Sequence, residues 1–391
     1  PRGDVLNLHL TGTDFFEPLN NPDLDAARAY WGVSMDSESP QLYRGEYLAG
    51  LVIEAAAGNR EGLSLDLLHQ QLAQPEVLGR TVRDFAAPRY REGYEKGIHD
   101  HDATLILQAL LPLRASAGRL AFEPAARAWA ALYWSQVAQH EPQKQWPERA
   151  RTSADIQRLF GSASGLDALR GEIAEAMSAY AQQHTLAIDP ASTPRAAEYL
   201  VQELSDERPQ FVFSKYAQQL LQALREKLTA ARMWDGFAAA LDGLGDRIAA
   251  RWALAMNWIE ALARAPELAP LAGYAAEAAT LLLLDQRFPK KITETDLSAS
   301  VQGLLGEHPR VKDGRMSLAI DDWSARLRHH RESFVPGFQR YQALRQEIVG
   351  RERHALRLDE FKPRPLSSFV RNKLINDVYL SVIGDNLGYW A

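Results

Sequence analysis

Gly97-Ile-His-Asp-His-Asp102 places two imidazoles and two carboxylates, His99, Asp100, His101 and Asp102, at four consecutive positions. These are donor types that hold divalent metals, so a metal-dependent enzyme centred on the run is one reading. Spacing argues against it. Successive residues do not share a helix face, so a common ion would need a strand or loop here and a further ligand such as His69. The competing reading is structural. Asp100 or Asp102 caps a helix over residues 103–111, whose Leu-Ile-Leu-x-Ala-Leu-Leu run is core, and a carboxylate suits the positive end of a helix. No ligand set with recognised spacing is complete, and the structural reading is preferred. No catalytic, cofactor-binding or metal residue is assigned, and the four are kept only as candidate ligands.

A second group is cationic. Arg326, Arg328 and Arg331 flank His329 and His330. Positive neighbours oppose a metal at that histidine pair, whereas guanidinium groups suit phosphate. Lys312 and Arg315 bracket Asp313-Gly314, a hairpin signal between β-type residues. Together these five residues are the candidates for nucleic-acid contact through phosphate, with no sequence readout. The alternative is an ordinary solvated face.

Other stretches imitate motifs without completing them. Gly161-Ser-Ala-Ser-Gly165 lacks the Gly-Lys-Ser/Thr that ends a phosphate loop, and no Gly-Lys pair occurs in the chain. Its central residue is Ala163, not the serine of a nucleophile elbow. Asp242-Gly-Leu-Gly-Asp246 is too isolated to bind a nucleotide.

The elements that would position these residues are mostly helices. Val5 to Leu10 alternates as a short strand. Helices are expected at 22–31, 41–57 and 64–73, the last capped by Ser64. A strong helix covers 122–139, and the polar, proline-containing stretch 141–150 reads as a surface loop or domain seam. Thr152 or Ser153 then caps a helix ending near Phe160. Residues 166–284 read as almost continuous helix, broken at Asp189-Pro190, Arg208-Pro209, Pro266 and Pro270, with Phe211-Val-Phe213 as a lone strand. Trp234, Ala238, Leu241, Ile248, Trp252 and Ile259 make an apolar stripe.

Residues 273–323 suggest a winged-helix-like module. A helix ends at Gln286, Lys290 to Thr293 is extended, a second helix runs over 297–306, and a hairpin follows. That second helix has no Lys or Arg, so protein contact is favoured over a DNA groove. A basic helix or helix pair occupies 322–358, kinked at Pro336-Gly337. A stiff Pro-x-Pro spacer and an amphipathic helix occupy 361–391. The expected fold is mainly α, as helical subdomains with a few short strands. The expected division is 1–150, 151–272, 273–323, 324–360 and 361–391.

Composition sets outer limits. The 391 residues suffice for two or three cores. There is no cysteine, which excludes disulfides, thiolate metal sites and cysteine nucleophiles. A cytoplasmic location is expected, and no apolar run approaches the ~18 residues of a membrane span, so no membrane partner is expected. The net charge of −6 conceals a basic segment: residues 308–373 carry 15 Lys and Arg against 8 Asp and Glu. Such a tail can face a polyanion or pack on the acidic remainder. The missing initiator Met and the terminal spacer suggest an excised fragment.

Three runs also carry a family resemblance. They are Leu366-Ser-Ser-Phe-Val-Arg-Asn-Lys-Leu-Ile-Asn-Asp-Val-Tyr-Leu-Ser-Val-Ile-Gly-Asp-Asn-Leu387, then Asp14-Phe-Phe-Glu-Pro-Leu-Asn-Asn-Pro22 with Ala29-Tyr-Trp31 and Tyr43-Arg-Gly-Glu-Tyr-Leu-Ala49, and finally Ala87-Pro-Arg-Tyr90 with residues 93–102. In this order the chain resembles the region before the nucleotide-binding module of very large bacterial AAA-type ATPases labelled DNA-repair ATPases. The resemblance implies a non-catalytic scaffold or interaction region. No cofactor is expected in this chain; ATP and Mg are expected for the parent protein. Expected partners are the downstream ATPase module, DNA and other proteins.

Overall fold

The computed structural model describes residues 5–9 and 12–355, together with 372, 373, 375 and 377. The expected proline spacer and terminal helix therefore lie outside the described residues, apart from those last four positions. Contacts divide the chain into a smaller unit, residues 1–34 and 335–391, and a larger unit, residues 35–334.

In the smaller unit β1 (Asn7–His9) pairs antiparallel with β2 (Phe16–Pro18). A short α1 (Pro22–Ala26) follows, its start fixed by Asn21, whose side-chain oxygen accepts from the Asp23 and Leu24 amides at 2.9 and 3.2 Å.

The larger unit is a stack of helices. Its first part holds α2 (Arg44–Ala57), α3 (Leu65–Gln71), α4 (Pro75–Ala86), α5 (His99–Ala117) and α6 (Pro124–Val137). Ser64 caps α3 as expected, its hydroxyl accepting from the Leu67 amide at 3.2 Å. Next come α7 (Trp146–Phe160), α8 (Ser164–Gln183), α9 (Thr193–Leu204), β3 (Phe211–Ser214), α10 (Lys215–Ala230), α11 (Trp234–Gly243), α12 (Ile248–Ala263) and α13 (Ala275–Leu283). The last part is β4 (Lys290–Thr293), β5 (Ser298–Gln302), β6 (Arg315–Ala319), α14 (Ile320–His329) and a π-helical turn at His330–Phe334. Then α15 (Val335–Ala355) belongs to the smaller unit, where Phe338, Tyr341 and Ile348 bury against Leu24.

Mainly α is thus the observed class, but four local expectations fail. Residues 297–306 do not form a helix: β5 lies there, antiparallel to β6 with Val301 opposite Met316, so the winged-helix order is not formed. Apolar residues at 297, 301 and 304 mimic helical spacing, yet Ser298 to Gln302 alternates polar with apolar, and that period of two prevails. The stretch 141–150 is not a surface loop throughout, because α7 starts at Trp146, which is fully buried. Thr152 and Ser153 consequently lie inside α7 and cap nothing. Phe211–Ser214 is not a lone strand either; it pairs in parallel with Lys290–Thr293.

Two apolar cores fill the larger unit. One joins α6 to α13 around Trp129, Trp146, Tyr199 and Phe213. The other joins α2, α4 and α5 to β5, β6 and Trp323 of α14. Among the described residues, His99–Val137 has the length and apolar composition to cross a membrane. In the fold it is α5 and α6, separated by a tight turn at Gly118–Ala121, and each feeds a core.

Candidate functional site

Helix α5 begins at His99, four residues before the expected start, so the His-Asp-His-Asp run forms its first turn. On a helix the four side chains diverge. His99 is buried, and its Nδ1 accepts from the Glu95 amide at 2.8 Å, which leaves the ring proton on Nε2. Asp100 accepts from the Gly97 amide and lies 3.4 Å from Arg83 Nε. His101 is exposed and reaches the Gly303 carbonyl at 3.2 Å. No group of three metal-ligating residues occurs among the described residues.

Asp102 is fully buried and serves a distant loop. It accepts from the Tyr43 hydroxyl at 2.7 Å, from the Leu305 amide at 2.9 and 3.1 Å and from the Gly306 amide at 2.9 Å. The carboxylate therefore ties the N-terminus of α5 to the residue preceding α2 and to the β5–β6 connection. Burial, then the Asp102 carboxylate, pushes the Tyr43 phenol well above its ordinary range. Gly306 is needed for this approach: a Cβ there would meet the Tyr43 hydroxyl at 1.8 Å.

The arginines of the basic segment are also engaged. Arg326 donates to Glu46 Oε1 at 2.9 Å and to Asp322 at 2.8 Å. Glu46 is fully buried and also accepts from Arg310 Nε at 2.9 Å and from the Tyr43 amide at 3.1 Å. Arg328 lies 2.6 Å from Glu123, and Arg331 donates to Glu54 at 2.9 Å. That contact holds the Glu54 carboxyl below the usual carboxylate range. These pairs bind α14 and the π turn to α2 and to the residue before α6. Leu327 settles over Gly50 of α2, where a Cβ would stand 2.7 Å from its methyl carbon. Lys312 and Arg315 are exposed at the hairpin turn.

Sequence reasoning missed the most deeply buried ion pair. Arg127 of α6 and Glu277 of α13 are both inaccessible and 2.9 Å apart. Glu277 also accepts from the Ser214 amide at 2.8 Å and its hydroxyl at 2.9 Å, while Arg127 donates to the Leu120 carbonyl at 2.8 Å. Ionised side chains inside otherwise apolar helices were the available signal, but nothing in the order of residues pairs positions 127 and 277. Nearby, burial raises the Asp321 carboxyl despite the Arg127 charge.

A cleft of 630 Å³ opens in the larger unit between α2, α5, α9 and α14. Arg328 and Arg331 line it together with Arg114 and Arg195, two arginines the sequence had not marked. Comparison with known proteins adds no relative: no family model matches the chain, nor does any curated protein or solved structure.

Proposed function

We propose that this chain is a non-catalytic helical scaffold and interaction region of a large AAA-type ATPase linked to DNA repair, working beside a nucleotide module of the same parent protein. The observation that carries the reading is the use made of Asp102: the most reactive-looking run in the sequence spends its buried carboxylate on holding Tyr43, Leu305 and Gly306 in place. The ion pairs of Arg326, Arg328 and Arg331 support the same reading, since they turn a basic segment into a fastening for α14. A scaffold needs such rigidity, and a reaction centre would need some of these groups free.

The test is ATP turnover by this chain and by the longer protein with the expected module. The longer protein hydrolyses ATP and the present chain does not. Turnover by these 391 residues, or none by the longer protein, overturns the reading. Nucleic-acid contact is a second reading, which keeps support from the exposed Lys312 and Arg315. It requires binding that weakens steeply as salt rises.

A further inference from the structure

The cleft between α2, α5, α9 and α14 is lined by four arginines, Arg114, Arg195, Arg328 and Arg331. Only three carboxylates face them there, Glu54, Glu123 and Glu332. One of the four arginines is left without an acidic partner. Arg328 and Arg195 lie 2.6 and 3.4 Å from Glu123, Arg195 also lies 2.6 Å from Glu198, and Arg331 pairs with Glu54. Arg114 has no carboxylate within 4.0 Å among the described residues. The surrounding protein, and then the Arg195 charge, weaken the hold of its guanidinium on its proton. Arg114 is exposed, so its guanidinium is open to a ligand from solvent.

One further donor lies unused at the wall. Arg195 does not supply it, because its Nε lies 3.4 Å from Glu123 and its guanidinium covers the Phe122 ring at 4.0 Å. The indole N–H of Trp323, a residue only 2% exposed, has no hydrogen-bond partner. Ile53, Leu327 and Ala57 give the same cleft apolar surface.

We infer that this cleft is a binding site for a small organic anion of low charge, a carboxylate or phosphate monoester with an apolar or aromatic body, whose anionic head sits on Arg114 beside Arg195. A guanidinium fork matches both head groups by paired N–H donation. The three glutamates make the cleft a poor host for a polyanion, so a nucleoside triphosphate is disfavoured. The site is independent of the scaffold reading, because its occupancy is measured by binding and requires no turnover.

Isothermal titration of the whole chain with benzoate, phenyl phosphate, inorganic phosphate and ATP tests this. Benzoate or phenyl phosphate binds saturably at one site, and the stronger of the two identifies the head group. Inorganic phosphate, lacking the apolar body, binds more weakly, as does ATP. Arg114→Gln weakens the preferred anion about tenfold or more. Arg114→Lys, which keeps the charge without the fork, falls between Arg114→Gln and the parent chain. Circular dichroism establishes which variants are folded. No saturable binding of either aromatic anion overturns the inference. So does equal affinity in the folded Arg114→Gln or, if only the lysine variant folds, unchanged affinity in Arg114→Lys. ATP binding as tightly as the small anions, and competing with them, also overturns it.

Discussion

His99 and His330 show how side chains that look ready for chemistry become pH-dependent parts of the frame. Burial lowers the pKa of both below the ordinary 6.5. His330 Nε2 lies 2.8 Å from the Asp36 carbonyl, so it carries the proton there, while His99 keeps Nδ1 free to accept. Both rings are thus held neutral by the fold. The unfolded chain takes up protons first as pH falls through 6.5, so this contribution is full above that value and is lost below it. Asp321 and Glu203, whose carboxyls burial raises, act in the opposite sense, since the folded state protonates them first. Comparison with variants isolates the histidines. Urea unfolding between pH 7 and 5.5 is expected to show a shallower loss of stability in His99→Gln and His330→Gln than in the parent chain; identical pH slopes contradict this.

At the scale of elements, buried ion pairs decide which helices hold together. Arg127 and Glu277 link α6 to α13, and through Ser214 to β3. Removing one partner leaves the other charge unpaired in an apolar core, which costs roughly 3–5 kcal/mol. Arg127→Met is therefore expected to lose about that much in urea unfolding, and Arg127→Met with Glu277→Gln to recover a substantial part. A double variant no more stable than the single contradicts the pairing. Much of this level was legible in the sequence. Ser64 announced α3, the alternation near Val5 announced β1, and Asp313-Gly314 announced a turn whose residues have φ of +51° and +67°. What stayed hidden has physical reasons. Leu297, Val301 and Leu304 fit both a helix and a strand, and only the pairing with β6 decides between them. Trp146 sits in a polar stretch with two prolines, yet Pro147 belongs to the first turn of α7 and Trp146 donates to Glu172 at 2.9 Å. The cleft was half legible: Arg328 and Arg331 stood out as a cluster, whereas Arg114 and Arg195 are isolated in sequence and meet them only in the fold.

Over the whole molecule, the part of the basic segment up to Arg331 meets acidic residues of the body inside the larger unit. Glu46, Glu54 and Glu123 receive Arg310, Arg326, Arg331 and Arg328, so part of the charge asymmetry is spent on fastening the fold to itself. Chain positions more than two hundred residues apart are joined by polar contacts as well as by apolar packing, and such contacts depend on geometry more than area does. The β5–β6 connection depends on this most, because three donors from separate residues converge on one carboxylate. Urea unfolding of the Asp102→Asn variant is the most direct test. An asparagine of the same shape loses the charge and turns an acceptor into a donor facing donors. Stability is expected to fall by about 2–4 kcal/mol. A change below about 0.5 kcal/mol, the size expected of a surface substitution, would contradict the role of this run as a strut and return its residues to the candidates for chemistry.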